Sequence, residues 1–273
     1  MADKLLRALT YLFTLFTFGW LFFIILYVLV KGVPYLSPEL FAWNYTTENV
    51  SMMPSIITTI YIVLGSLLIA VPLGVFAGFY LVEYAGKNNK WVEAIRIATD
   101  TLTGVPSIVY GLFGMLAFVL AAQFQYSVLA GILTMAIMVL PLIIRNTEEG
   151  LMSVNDSLRF ASYGLGAGKL RTIFRIVLPV AMPGILSGVI LAIGRIVGET
   201  AALMYTLGTS TSLPKSLFSS GRTLALHMFV LSTEGLHRNE AMATGVVLLI
   251  LVLIINGTST WLSNKLGAQG GQQ

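Results

Sequence analysis

Ser157-Leu158-Arg159-Phe160-Ala161-Ser162-Tyr163-Gly164-Leu165-Gly166-Ala167-Gly168-Lys169-Leu170-Arg171-Thr172-Ile173-Phe174-Arg175-Ile176-Val177-Leu178-Pro179 is a mostly polar interruption between two apolar runs. Asp156 stands just ahead of it and is expected to cap a helix starting near Ser157, because a carboxylate there accepts the orphan N–H groups of the first turn. Leu158, Ala161, Ser162 and Leu165 then share one face. Gly164, Gly166 and Gly168 break that helix, and Lys169 restarts it. Leu170, Ile173, Phe174 and Val177 fall on an apolar stripe opposite Lys169, Arg171, Thr172 and Arg175, and Pro179 and Pro183 close the segment. The pattern predicts a short helix, a glycine turn and an amphipathic helix, which either lies on a membrane surface or docks a partner in solution. Gly166-Ala167-Gly168-Lys169 resembles part of a phosphate-binding loop, but the full spacing requires Gly at 163 and Ser or Thr at 170, where Tyr163 and Leu170 stand. ATP binding by this chain alone is therefore excluded.

On either side of this segment the chain is built for lipid. It is 56% hydrophobic and 10% charged, with mean hydropathy +0.86, whereas soluble domains carry about 25% charged residues. A helix needs about 20 apolar residues to cross a bilayer. Six runs qualify: Ala8–Val30, Ile56–Val82, Ile97–Ala122, Ser127–Ile144, Pro183–Leu207 and Ala241–Leu262. Asp100, Thr101, Thr103 and Pro106 dilute the start of the third, with Asp100 read as a cap. Pro72, Pro106 and Pro141 are expected to kink their helices. The expected class is all-α: a polytopic membrane protein of six transmembrane helices.

The Lys and Arg distribution sets an orientation. With the N-terminus in the cytoplasm, eleven basic residues fall inside: Lys4, Arg7, Lys87, Lys90, Arg96, Arg145, Arg159, Lys169, Arg171, Arg175 and Lys265. Four fall outside, namely Lys31, Lys215, Arg222 and Arg238. This bias places both termini in the cytoplasm. Residues 1–50 then form a first helix and outside loop, 51–265 the main domain with a cytoplasmic loop at 145–182, 208–240 an outside loop, and 266–273 a flexible tail. The net charge of +4 is spread between spans, not gathered on a soluble face, so no nucleic acid partner is expected. Cysteine is absent, and His227 and His237 have no ligand spacing around them, so no metal site is expected.

Ala161-Ser162-Tyr163-Gly164-Leu165-Gly166-Ala167, followed by Ile176-Val177-Leu178-Pro179, resembles the EAA loop of ABC importer permeases. The position of that loop's leading Glu is Phe160 here. Three more strings are similar to phosphate-type permeases: Thr101-Leu102-Thr103-Gly104-Val105-Pro106-Ser107-Ile108-Val109-Tyr110-Gly111-Leu112-Phe113-Gly114, Gly194-Arg195-Ile196-Val197-Gly198-Glu199-Thr200-Ala201, and Leu140-Pro141 with Ile144-Arg145-Asn146-Thr147-Glu148-Glu149. The likeness covers residues 50 to 265 and is to the A-type permease subunits of bacterial high-affinity phosphate transport systems. It implies a type I ABC importer permease fold in the inner membrane, with a second homologous permease, a homodimer of ATPase subunits and a periplasmic or extracellular phosphate-binding protein as partners. It also implies that Ala161 to Ala167 dock the ATPase, that no cofactor binds this chain, and that ATP hydrolysis happens on another subunit.

Arg195 stands near the middle of an apolar run, where an arginine costs about 2.5–3.5 kcal/mol to insert. Glu199 follows one helical turn later, with Gly188, Ala192, Gly198 and Ala202 on the same face. Arg195 and Glu199 thus read either as an ion pair that fixes packing or as part of a path for an oxyanion, whose oxygens suit the planar guanidinium. Arg145 is a second pathway candidate, or a positive-inside anchor. Besides a phosphate permease, three readings stay open: a permease of this architecture for molybdate or an amino acid, a secondary transporter or channel working alone, and an assembly factor that transports nothing. Single cysteines placed in 145–182 should be shielded from a membrane-impermeant label in intact cells; labelling from outside would reverse the orientation.

Overall fold

The computed structural model describes residues 2–85 and 90–270; Lys87, counted among the inside cations, and residues 271–273 of the expected tail lie outside the described residues. Its helices are α1 (Ala2–Gly32), α2 (Met53–Phe79, running on through a wide π turn at Tyr80–Tyr84), α3 (Lys90–Thr103), α4 (Ser107–Gly114, likewise extended through Met115–Ala121), α5 (Val128–Met152), α6 (Asp156–Gly164), α7 (Lys169–Thr172), α8 (Leu178–Val197), α9 (Ala201–Thr206), α10 (Leu224–Glu234) and α11 (Arg238–Gly270). Among the described residues, five helices are long and apolar enough to cross a membrane, and a sixth crossing exists only if α3 and α4 are taken together.

Two of the expected spans are broken. The third is not a kinked helix: α3 and α4 meet at 103°. Gly104-Val105 leaves helical geometry, and Pro106, which has no N–H to donate, caps the new helix. The Tyr110 hydroxyl donates to the Leu102 carbonyl at 2.8 Å and ties the two arms across the break. The fifth expected span, Pro183–Leu207, is displaced. One helical stretch runs from Lys169 to Val197, so Pro179 and Pro183 do not end the amphipathic segment. The π turn Ile173–Val177 precedes Pro179, where the first turn of α8 begins, and a wide turn of this kind absorbs a backbone that proline deprives of a donor. The helix stops instead at Gly198, and α9 begins three residues later.

α5 is the axis of the molecule. It packs on α2, α3, α8 and α9, and its core side chains Met135, Met138, Val139 and Ile143 meet Ile62 of α2, Ile196 of α8 and Leu203 of α9. Lipid offers no hydrophobic drive for helices to pair, so close approach through small residues must supply the contact. A Cβ on Gly184 of α8 would stand only 2.8 Å from the Cα of Gly150 of α5. The free N–H groups at the start of α5 are satisfied by the 208–223 segment: Val128 N–H donates to Ser219 O at 3.0 Å and Leu129 N–H to Leu217 O at 2.8 Å.

The segment from 208 to 240 is more than a polar loop, since it contains α10. His227, expected in polar surroundings, is fully buried there. Burial, reinforced by the nearby charge of Arg222, pushes its imidazole down to about 3 from the ordinary 6.5. Between these values the unfolded chain binds a proton that the folded chain does not, so stability falls as pH drops from 6.5 toward 3, by about 1.4 kcal/mol per pH unit. Thermal melts of the detergent-solubilised chain from pH 7.5 to 5 should show this slope, and His227→Gln should remove that part of it. Parallel slopes would contradict the burial account.

Candidate functional site

The helix–turn–helix at 156–177 is held by one side chain. Arg159 lies in α6 and is 12% exposed. Its Nε and Nη2 donate to Glu83 Oε1 at 3.1 and 2.9 Å, its Nη1 to Val154 O and Asp156 Oδ1, and its Nη2 also to Leu151 O. All five N–H groups of the guanidinium can be accounted for in this way. Glu83 sits in the π turn that ends α2 and is buried. The end of α2, the end of α5 and the start of α6 thus share one buried ion pair. The cap of α6 is Asn155, not Asp156: the Asn155 side chain accepts from Ser157 N–H. Across the glycine turn, where Gly166 has φ +82°, Ser162 and Thr172 share a hydrogen bond of 2.8 Å.

Of the residues expected to dock a partner, Ala161, Tyr163, Gly164, Leu165 and Gly166 are exposed, Ala167 is half-buried and Ser162 is turned inward. Leu165 is 90% exposed and Phe160, at the departed Glu position, 70%. The apolar stripe divides as well: Ile173 and Val177 are buried, while Leu170 and Phe174 face out.

Arg195 lies in the last turn of α8, not mid-helix, and is partly buried. The expected one-turn pairing with Glu199 does not form, because Gly198 ends the helix between them. The buried Glu199 carboxylate instead accepts the N–H groups of Thr200 and Ala202, both at 3.1 Å, and so caps α9. Among the described residues Arg195 has no ion pair; the Tyr110 ring of α4 is near enough to interact with it electrostatically. Gly188 and Ala192 are packing surfaces: Gly188 closes on Asn146 of α5, and Ala192 is fully buried. α4 and α9 meet at Gly111, where a Cβ would stand 2.7 Å from the Ala202 Cα. The strings 101–114 and 194–201, distant in sequence, are therefore brought together: α4, beyond the first break, touches the start of α9 at Gly111, and Arg195 interacts electrostatically with Tyr110 of α4.

Arg145 is engaged by acids on both sides, with Nη1 2.7 Å from Asp100 and Nε 2.6 Å from Glu149. Asp100 thus bridges α3 to α5 and does not act as a cap. A second bridge, Arg96 to the buried Glu148, joins the same helices. Arg145 adjoins Asn146, which faces Gly188, and Gly188 precedes Arg195 by about two helical turns, or about 10 Å of rise.

The sequence matches the family model for the binding-protein-dependent transport system inner membrane component over residues 70–267. This chain belongs to that family. It is 34% identical over 258 residues to the probable ABC transporter permease protein YqgI of Bacillus subtilis (strain 168), covering 88% of this chain and 87% of that one. It is 35% identical over 257 residues to the phosphate transport system permease protein PstA of Yersinia pestis, covering 90% and 84%. In fold it superposes on a chain of the bacterial alginate ABC transporter, crystallised with its pentasaccharide-bound periplasmic protein, with TM-score 0.71 at 14% identity over 97% of this chain and 96% of that one. The architecture is therefore that of an ABC importer permease.

Sequence reasoning missed Arg159, Glu83, Arg96 and Glu148. The available signal was weak: each is a charge at the edge of an apolar run, the usual place for a membrane-surface anchor. Removing one partner of a buried ion pair costs about 3–5 kcal/mol, whereas replacing both with apolar residues is nearly neutral. Glu83→Gln should therefore raise amide exchange in α6 by about two to four orders of magnitude, and Glu83→Leu with Arg159→Met should recover most of the protection. Unchanged exchange in α6 on Glu83→Gln would show the pair to be idle.

Proposed function

We propose that the chain is one of two membrane-spanning permease subunits of an ATP-driven phosphate importer, with both termini cytoplasmic, and that Arg195 handles the anion on its way across. The unpaired Arg195 carries the reading. A partly buried cation without an ion-pair partner carries a desolvation cost, and here the obvious counter-ion, Glu199, is spent on capping α9. A mobile oxyanion relieves that cost while it passes, and a guanidinium meets it with two parallel donors. Binding must also be weak enough to release, and Glu199, at the same break as Arg195, supplies a negative charge that limits how tightly the anion is held. Arg145, already engaged by Asp100 and Glu149, is a second step toward the cytoplasmic end, where its acids hold it in check. The phosphate assignment is supported by relatives such as the permease of Yersinia pestis.

The remaining parts follow from the same reading. A second, homologous permease completes the pathway opposite Arg195, and a phosphate-binding protein delivers the solute at the face opposite α6. Phe160, Tyr163 and Leu165, exposed on and beside α6, enter a cleft of an ATPase subunit, two copies of which hydrolyse the ATP. The contact is apolar where the family's Glu would have made it polar. The chain itself is non-catalytic and binds no cofactor.

Phosphate uptake should be abolished by Arg195→Ala while the ATPase still copurifies, and Arg195→Lys should restore it only in part because the fork is lost. Wild-type uptake by Arg195→Ala removes the pathway role, and loss of assembly in that variant makes Arg195 a packing residue. Failure of excess phosphate to compete for the transported solute would assign the permease to another substrate.

A further inference from the structure

The end of the molecule opposite α6 contains a buried cation that forms no ion pair among the described residues. Arg222 is 4% exposed, yet its Nε and Nη2 have no hydrogen-bond partner. These two atoms form one edge of the guanidinium, the edge that grips an oxyanion with two parallel bonds. The Tyr45 ring lies 5.1 Å from its Cζ and the Tyr45 hydroxyl also interacts with the guanidinium, which softens the charge without neutralising it. His227 is fully buried, lies close enough to the Val50 backbone to hydrogen-bond with it, and meets the Tyr45 ring edge-on at 6.3 Å. Arg222 immediately precedes Thr223, whose hydroxyl caps α10, and His227 lies one turn inside that helix. Guanidinium, imidazole and the positive end of α10 therefore converge. Glu234, at the far end of α10, acts on Arg222 but forms no ion pair with it. Burial disfavours the charge of Arg222, so something must compensate it.

A surface cavity lies on the other side of the Tyr45 ring. A cavity of 560 Å³ is lined by Trp43, Tyr45, Thr211, Ser212 and Lys215 among others. Tyr45 is common to the cavity and to Arg222, and a rotation of its ring would join the two. Lys215 adds positive charge to the cavity wall, and Thr211 and Ser212 add neutral donors.

We infer that Arg222, with His227 and Tyr45, forms a binding site for a small tetrahedral oxyanion of the phosphate or sulfate class, entered from this cavity past the Tyr45 ring and separate from Arg195. The inference does not rest on which solute the permease transports. An anion seated on the free edge satisfies Nε and Nη2 together and removes the cost of an isolated buried cation.

The full-length chain, purified into nanodiscs at pH 7.5 with gluconate as the only other anion, is titrated with radiolabelled inorganic phosphate, with sulfate and chloride as separate competitors. Saturable binding at one phosphate per chain is expected, competed by sulfate and weakened at least tenfold by Arg222→Gln. Arg195→Ala, which tests the pathway reading, should leave this binding in place, so failure of one reading is distinguishable from failure of the other. If Arg222→Gln does not fold, Tyr45→Ala serves instead, and faster phosphate association is expected once the partition is gone. Absence of phosphate binding, binding indifferent to Arg222→Gln, unchanged association in Tyr45→Ala, or competition by chloride but not sulfate would each overturn the site.

Discussion

The Arg159 guanidinium is the contact on which the working geometry depends. It is a buried cation with donors pointing in five directions, and each finds an acceptor: the Glu83 carboxylate, the Asp156 carboxylate, or the carbonyls of Leu151 and Val154. Such a group tolerates little displacement, because moving α6 leaves several polar atoms unpaired at once. The short helix therefore moves only with the ends of α2 and α5. The glycine turn beyond it is open, with space around Gly164, Gly166 and Gly168, so the exposed tip can fit a partner while its root stays fixed. A force applied at Phe160 or Leu165 is delivered to the helices that pack on α8.

At the other end of that path stand two interrupted helices. Breaking a membrane helix exposes N–H and C=O groups that lipid cannot satisfy, so breaks occur where protein or a lined cavity covers them. Here Glu199 answers two of the freed N–H groups and Tyr110 one of the freed carbonyls. The arm beyond the first break meets the helix beyond the second where Gly111 closes on Ala202, and among the described residues Arg195 forms no ion pair. α8 belongs to both regions: the helical stretch that begins at Lys169, beside the docking turn, ends at Val197, two residues past Arg195. The candidate docking turn and the candidate pathway thus lie at opposite ends of one helical stretch.

The helical class, the number of apolar runs and the helix–glycine–helix segment were legible in the sequence because each is written in local periodicity and composition. The turn at Gly164 to Gly168 is of that kind. The breaks were not. Ala201 to Leu207 is as apolar as a continuing helix would be, and only the Glu199 carboxylate folding back on Thr200 and Ala202 reveals that one ends and another begins. Pro106 was visible as a proline, but a kink and a turn of 103° look alike until Tyr110 is seen spanning the corner. Arg195 could be picked out as an arginine in an apolar run, yet its pairing with Glu199 assumed a helix that does not exist there. The Arg159–Glu83 pair joins residues 76 apart in sequence, and no local pattern encodes such a partnership. Buried His227 and Arg222 were hidden for the same reason, in a stretch that reads as a polar loop.

We propose that, because Arg159 ties α6 to the ends of α2 and α5, ATP hydrolysis on a docked subunit moves the region around Arg195. This coupling is tested most directly by the number of phosphate ions transported per ATP hydrolysed in proteoliposomes containing the assembled transporter, wild type against Arg159→Lys. A lysine keeps the charge but loses the planar donors that reach Glu83, Leu151 and Val154 together. The account predicts that the ATPase still assembles and still hydrolyses ATP, because the exposed docking face is unchanged, while phosphate moved per ATP falls at least tenfold. A wild-type ratio in Arg159→Lys would contradict it.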